Sequence, residues 1–355
     1  MKNSVTMKLK GLVMTALLLC CCSGILSAQK IAIIDAGSSG SRLFVYEVST
    51  TGQQKVNLVF PATPEQKKAA KGRALSSIAN HPDSVRVFLE NMTSKFKSDN
   101  TGLYVLATAG MRLKPEAQAE AVYAKLRDLG TVNGYQVKDA MTISGQYEGL
   151  YGWLAANYDH GNIKVKETAS GYELACQDYP YGILEIGGAS MQLAFTSSEK
   201  SKDCLYRPGL NYIYSKSYLG GGVDQIFKNT PKKWHGYSFK LNLENVSDQF
   251  QSNTLFMGLG IPVNNVIKGI SEQNQKLSYN RRINNYIRSL KDFEDTMKNY
   301  HPRINSHYIK WVCDKLDLEE KLIQPITDSS WTIGAALDIL INKEAPEKYD
   351  HQLKN

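Results

Sequence analysis

The sequence predicts an α/β protein of two similar lobes with an active-site cleft between them, on three observations. Residues 31–48 read IAIIDAGSSGSRLFVYEV: an apolar run ending on an acid, a loop of small residues, then a second apolar, β-branched and aromatic run. This is a β-hairpin whose turn has been stripped of bulk. Residues 181–195 read YGILEIGGASMQLAF and repeat the pattern, with Glu185 placed as Asp35 is. One such hairpin could be any tight turn, but two, 150 positions apart in the two halves of a chain, imply two units that offer their turns to one ligand. The third observation is the order strand, polar terminus, helix over 102–129, the repeating unit of an α/β layer.

The first turn carries chemistry that suits phosphate. Gly37 and Gly40 let the backbone approach a ligand closely, and Ser38, Ser39 and Ser41 add hydroxyls to a row of N–H donors. Asp35 would repel a phosphate, yet it is well placed to hold a hydrated cation between itself and one.

Before that hairpin, residues 1–10 carry Lys2, Lys8 and Lys10 without an acid, residues 11–22 are apolar, and Leu26-Ser27-Ala28 offers small residues for cleavage. That is a secretory leader, so the protein is expected to be exported, periplasmic or secreted. Cleavage after Ala28 leaves 327 of the 355 residues and takes the formal net charge from +8 to +5. The apolar run is too short for a transmembrane anchor. Cys20, Cys21 and Cys22 each follow Leu or Cys rather than a small residue, which argues against a lipid anchor. The charge is too modest for a nucleic acid polymer as partner, and the length favours two domains.

Of the three cysteines outside the leader, Cys176 and Cys204 are centred on Ser190, so the arms of the second hairpin would bring them together. A Cys176–Cys204 disulfide is therefore expected in an exported protein, with Cys313 a buried thiol. No Cys or His pair at ligand spacing points to zinc.

Residues 61–71 are polar and turn-rich and read as a solvated loop. A helix is expected over 83–96 with Val85, Val87, Phe88 and Met92 as its apolar side. A buried strand over 102–110 ends on Thr108 and Gly110, followed by Met111-Arg112, and a helix spans 115–129 between Pro115 and Gly130. In 141–158, Ser144 and Gly145 start a helix with Leu150, Trp153, Leu154 and Asn157 on one face. Glu148 lies in its first turn, where complementing the helix dipole is the commoner reason for an acid. Residues 217–224, SYLGGGVD, form either a close-approach loop or a plain turn. Helical patterns recur over 283–297 and 308–323. His160, His235, His301 and His307 are scattered and need no role, and Asn245-Val246-Ser247 is a glycosylation sequon by pattern. Residues 331–340, WTIGAALDIL, read as a helix with a smooth Gly334-Ala335-Ala336 face that returns to the first lobe, and a charged tail follows from Lys343.

Five stretches together, DAGSSGSR from Asp35, ATAGMRL from Ala107, SGQYEGLYGW from Ser144, EIGGASMQLAF from Glu185 and WTIGAAL from Trp331, resemble the nucleoside triphosphate diphosphohydrolases, or apyrases, of the actin-like ATPase superfamily. The resemblance implies two actin-like, ribonuclease H-like lobes, the first of 29–148 plus about 325–355 and the second of 149–324, in a compact secreted bacterial member, expected as a monomer. It implies hydrolysis of nucleoside tri- and diphosphates at the terminal phosphate with Mg²⁺ or Ca²⁺. Asp35 and Glu185 would hold the hydrated metal, with Trp331 behind them. The loop Gly37, Ser38, Ser39, Gly40 and Ser41 and the loop Gly187, Gly188, Ala189 and Ser190 would grip the phosphates. Glu148 would be the general base, with Thr108, Ser190 and Gln192 orienting the water. Two departures stand out. The second acid is more often Asp in this family, and Glu there is similar to exopolyphosphatase relatives, so a polyphosphate or alarmone phosphatase is the enzymatic alternative. A non-hydrolysing actin-like nucleotide-binding module is the alternative of another class. Clustered aromatics for stacking a base are missing, which leaves Tyr218, Tyr300 and Tyr308 as candidates.

Overall fold

The computed structural model describes residues 29–49, 56–169, 171–198, 200–229, 239, 241–243, 246–250, 253–290, 302–323 and 330–351. The leader, the Asn245 sequon, His235, His301 and Tyr300 lie outside them. Among the described residues no helix is long and apolar enough to cross a membrane.

Strand β1 (Lys30–Ala36) is buried at every residue after Lys30, and β2 (Ser41–Val48) at most positions, the pattern of strands covered on both faces. They pair antiparallel with Asp35 opposite Arg42 and Ala36 opposite Ser41, so the glycine-serine stretch is the turn itself. Strand β3 (Val56–Phe60) follows. Residues 61–71, expected as a loop, instead hold helix α1 (Pro64–Ala69), because Thr63 and Gln66 close a capping box around Pro64. After β4 (Lys71–Gly72), helix α2 (Val85–Thr93) buries Val85, Phe88, Leu89 and Met92. Val87, placed on the apolar side by the sequence, is exposed, because a 3.6-residue period from Val85 selects Leu89 instead. Strand β5 (Thr101–Ala107), helix α3 (Ala109–Arg112), helix α4 (Glu116–Asp128), β6 (Thr131–Val132) and β7 (Tyr135–Thr142) complete the first sheet, in the order β3-β2-β1-β5-β7-β6 with β4 on β2.

Helix α5 (Gly145–Asp159) begins where the Ser144 hydroxyl accepts from the Tyr147 N–H, 3.2 Å away. Apart from Gln146 and Asp159 it is buried all round, not on one face, because it packs between the second sheet and the helix that begins at Trp331. Strands β8 (Ile163–Thr168) and β9 (Gly171–Cys176) form a separate antiparallel pair. The second sheet is made of β10 (Gly182–Ile186), β11 (Ser190–Ser197), β12 (Cys204–Arg207), β13 (Asn211–Leu219), β14 (Phe256–Leu259) and β15 (Leu322–Ile323), in the order β12-β13-β11-β10-β14-β15. Its hairpin β10–β11 sets Glu185 opposite Gln192, and β14 lies parallel to β10 as β5 lies parallel to β1. Helix α6 (Val223–Asn229) follows β13, and α7 (Ile261–Ser271), α8 (Tyr279–Ser289) and α9 (Pro302–Lys315) cover the sheet. The helix expected over 308–323 thus starts earlier and stops at Lys315, since Asp317 and Glu320 take left-handed backbone at φ 51° and 61°.

Helix α10 (Trp331–Leu337) packs against α5 and the first hairpin within a core between the two sheets that also takes in Tyr46, Ile183 and Met257. Gly334 lets the two helices touch, because a Cβ there would collide with the Tyr151 backbone. The Asp338 carboxylate, just after α10, accepts two bonds from Arg207 of β12, with Nε to Oδ1 at 2.9 Å and Nη2 to Oδ2 at 2.9 Å, and the same guanidinium lies over the Tyr147 ring.

The expected disulfide does not form: Cys176 and Cys204 are two thiols. Cys176 ends β9 opposite Ile163, whereas Cys204 opens β12 opposite Tyr214. The arms of the second hairpin do not run straight out to the two cysteines. Strand β11 stops at Ser197 and β12 begins a new pairing on the far side of β13.

Candidate active site

Each hairpin turn is braced by a loop that arrives from elsewhere. The Thr108 N–H donates to the Ala36 carbonyl at 3.3 Å, so the end of β5 is joined to the mouth of the first turn. In the second turn, the carbonyls of Gly187, Gly188 and Ala189 accept from the N–H groups of Val223, Asp224 and Gly220 at 3.0, 2.9 and 2.9 Å. The 217–224 stretch is thus a close-approach loop, but what it approaches is the second turn: a Cβ on Gly222 would meet the backbone of Gly188 and Ala189. The two turns face each other. A Cβ on Gly188 would stand 2.5 Å from Asp224 Oδ2 and 3.0 Å from Ser38 Oγ, so only glycine leaves a gap there. Ser39 is exposed at the tip of the first turn, Gly37, Ser38 and Gly40 are half-buried, and the buried Ser41 Oγ has no hydrogen-bond partner among the described residues.

Asp35 and Glu185 end the central strands β1 and β10 and interact through their charges. Burial pushes the Asp35 carboxyl up to about 6, against the pull of Arg42 (4.0 Å) and a hydrogen bond from the Trp331 indole. Burial raises Glu185 to about 7, the charge of Asp35 acts in the same sense, and Arg112 opposes both. The Glu185 Oε2 is enclosed and has no hydrogen-bond partner among the described residues. An orphaned carboxylate oxygen beside a second buried carboxylate fits a divalent cation, whose charge would relieve both the burial and the repulsion. No cluster of three or more His, Cys, Asp or Glu suited to a metal occurs among the described residues. Two carboxylates fit an ion that keeps several waters and takes other oxygens from phosphate, as Mg²⁺ commonly does.

Glu148 is buried in the first turn of α5. Its Oε2 accepts from the Arg112 guanidinium and from Gln192 Nε2 at 3.1 Å. Gln192 Nε2 also lies 2.7 Å from Ser190 Oγ and 3.1 Å from Ser217 Oγ, and Arg112 Nη1 reaches Ser217 Oγ at 3.3 Å. Burial lowers Arg112 to about 10, which still leaves it charged at neutral pH. Arg112 and Ser217 were not picked out from the sequence. Both sit in stretches that were, at the end of ATAGMR and the start of SYLGGGVD, but nothing local distinguishes a buried arginine from a surface one. Trp331 stacks on Tyr151 at 6.3 Å with ring planes 12° apart, which fixes the indole behind Asp35.

The structure therefore brings Asp35, Ser38, Thr108, Glu148, Glu185, Gly188, Ser190, Gln192 and Trp331 into one set of linked contacts. It does not bring the tyrosines. Tyr308 is 1% exposed and donates its hydroxyl to the Gly221 carbonyl at 2.7 Å, and Tyr218 lies in the same core. Neither offers an open ring face to a base, because both fill the layer between the second sheet and its helices.

Residues 27–233 match the GDA1/CD39 (nucleoside phosphatase) family model. The chain is similar to nucleoside-triphosphatase ntp-1 of Caenorhabditis elegans, 32% identical over an alignment of 242 positions that covers 64% of this chain and 38% of that protein. It is 34% identical to nucleoside-diphosphatase mig-23 of Caenorhabditis briggsae over 56% of this chain and 41% of that one. It is 30% identical to ectonucleoside triphosphate diphosphohydrolase 3 of Homo sapiens over 52% and 37%. The chain spans about two fifths of the length of these relatives. Among solved structures, nucleoside triphosphate hydrolase from Neospora caninum superposes with a TM-score of 0.57 at 12% identity, covering 89% of this chain and 93% of that one. The Aquifex aeolicus member of the Ppx/GppA family gives 0.50 at 14% identity, covering 89% and 99%. The fold is the actin-like α/β arrangement that these share.

Proposed function

The chain belongs to the GDA1/CD39 family of nucleoside phosphatases, and from that membership we propose that it hydrolyses the terminal phosphate of nucleoside tri- and diphosphates, ATP and ADP among them, by direct attack of water. One observation supports this most: two buried carboxylates, Asp35 and Glu185, stand together at two facing glycine turns, with Glu148 tethered beside them. Phosphoryl transfer asks little covalent chemistry of a protein, and positioning with charge neutralisation does most of the work.

Asp35 and Glu185 would hold a hydrated Mg²⁺ or Ca²⁺, which supplies positive charge for the phosphates. The turns Gly37–Ser41 and Gly187–Ser190 present backbone N–H groups to the phosphate chain from opposite sides. The Trp331 indole, donating to Asp35, fixes how that carboxylate faces the cation. Glu148 accepts the proton of the attacking water, which Thr108, Ser190 and Gln192 orient. Its bonds from Arg112 and Gln192 both fall on Oε2, so Oε1 is the oxygen turned to the water. Arg112 supplies the counter-charge that a carboxylate buried there needs.

The leader at 1–28 supports an exported, periplasmic or secreted enzyme, and the compact bacterial monomer expected from the sequence is part of the same reading. Its lobes are 29–148 with about 325–355, and 149–324. The test is phosphate release from ATP, ADP and polyphosphate with Mg²⁺ or Ca²⁺ and with chelator. Release from both nucleotides, stopped by chelator, is expected. Activity confined to polyphosphate, or tight ATP binding without turnover, would overturn the proposal.

A further inference from the structure

We propose that the C-terminal strap, residues 344–351, is a positioning element of the active site, acting on Glu148 through the Ser144 cap. The proposal rests on the catalytic reading above for its activity arm. After α10 the chain turns back at Lys343, in left-handed backbone at φ 60°, and the Glu344 N–H donates to the Asp338 carbonyl at 3.1 Å. It then runs antiparallel along the end of β7. Lys348 bridges Ile143, the Tyr349 N–H donates to the Thr142 carbonyl at 2.8 Å, and the Ser144 N–H donates to the Glu347 carbonyl at 2.9 Å. Strand β6 pairs only with Tyr135 and Gln136 at the start of β7, so the strap covers the edge that β6 leaves. Within the strap Pro346 is buried, and Lys348 Nζ reaches Glu120 of α4 at 2.6 Å.

The strap ends where it matters for catalysis. Ser144 caps α5, and its carbonyl accepts from the Glu148 N–H at 3.1 Å, so the Glu347 bond fixes the residue from which the base-bearing turn is built. One segment, about 200 residues after Glu148 in the chain, therefore steadies the backbone beneath the carboxylate. A shift of about 1 Å in a reacting group costs on the order of a hundredfold in rate.

Two substitutions in the full chain separate the backbone bond from the side chain. Tyr349→Pro removes the N–H bonded to Thr142, and Tyr349→Phe removes only the hydroxyl. We expect Tyr349→Pro to lower kcat on ATP by roughly ten- to a hundredfold, with KM within about twofold, and to speed amide exchange at 144–148 while α8 exchanges as before. Tyr349→Phe keeps that N–H and should leave both kcat and exchange at wild-type values, because the strap acts through its backbone bonds. A chain cut after Lys343 should behave as Tyr349→Pro does and recover when a peptide of residues 344–355 is added. Wild-type kcat and wild-type exchange in Tyr349→Pro would overturn the proposal, as would a rise in KM alone. If the unaltered protein releases no phosphate from nucleotides, the catalytic reading fails, and the exchange measurement still decides whether the strap holds the start of α5.

Discussion

The Arg112–Glu148 pair gives the sharpest test, because stability and turnover respond to it in different ways. Both side chains are buried, at 3% and 6% exposure. Glu148→Gln keeps the shape and the bond from Gln192 but strands a buried guanidinium, which costs about 3–5 kcal/mol. At roughly 2 °C per kcal/mol for a chain of this size, the melting temperature should fall by about 6–10 °C. In the proposed mechanism the same substitution removes the proton acceptor, so kcat should fall by about a thousandfold, within the range of general-base contributions, while nucleotide still binds. Arg112→Met strands the carboxylate instead and should destabilise by a similar amount. In the double variant neither charge is stranded, so its melting temperature should return most of the way to wild type, a coupling of about 5–9 kcal/mol against the sum of the two single losses. Its kcat should stay as low as that of Glu148→Gln. Thermal unfolding and steady-state phosphate release on the four proteins complete the cycle. Additive stability losses in the double variant would refute the coupling, and near-normal turnover of Glu148→Gln would remove Glu148 from the role of base.

Other consequences follow from the same geometry. Asp35 and Glu185 hold protons more tightly folded than unfolded, so their stabilising contribution is full below about pH 4 and lost as pH rises through about 6 to 7; Mg²⁺ or Ca²⁺ should accordingly raise the melting temperature little near pH 5 and by several degrees near pH 8, as a thermal-shift titration would show. Asp338→Ala leaves Arg207 buried without its partner and should cost about 3–5 kcal/mol, read by denaturant unfolding. Gly188→Ala sets a methyl against Asp224 and Ser38, side-chain tips that can move, so KM for nucleotide should rise while the melting temperature changes little. Because Cys176 and Cys204 are thiols, a reducing agent should leave the melting temperature unchanged.

What the sequence revealed was whatever is local. An acid directly before a glycine-serine turn, found twice, placed Asp35 and Glu185 without any knowledge of the sheets, and Ser144 announced the start of α5. Errors came where a contact joins distant segments. The symmetric spacing of Cys176 and Cys204 about Ser190 suggested a bridge, but spacing along a chain says nothing about where β11 stops. Tyr218 and Tyr308 resembled stacking candidates because nothing in their neighbourhoods shows that a helical layer buries them. Helix α5 reads as having one apolar face because amphipathic helices are the common case, and its two-sided burial follows only from having the second sheet on one side and α10 on the other. Thr63-x-x-Gln66 was a legible capping box that the polar character of 61–71 concealed.

The duplicated hairpin also explains why the candidate site is lopsided. In the first sheet the order β2-β1-β5 places an antiparallel neighbour and a parallel neighbour beside the strand that ends on Asp35; in the second, β11-β10-β14 does the same for Glu185. Two equivalent carboxylates follow from that repetition alone. The elements after the parallel strands are not equivalent. After β5 the chain enters α3 and delivers Arg112, whereas after β14 it turns at Gly260 into α7 through Ile261 and Pro262, with no cation in the corresponding stretch. Helix α5, which carries Glu148 in its first turn, follows the third parallel strand β7, whereas α10, which follows β15 in the second sheet, has no acid in its first turn. Repetition thus provides a symmetric pair of buried carboxylates, and the single arginine fixes on which side of them a third can be kept. A Lys or Arg placed at Ile261 could not rescue Arg112→Met, because it would approach from the wrong sheet; recovery of turnover in that double variant would show that the side of the counter-ion does not matter.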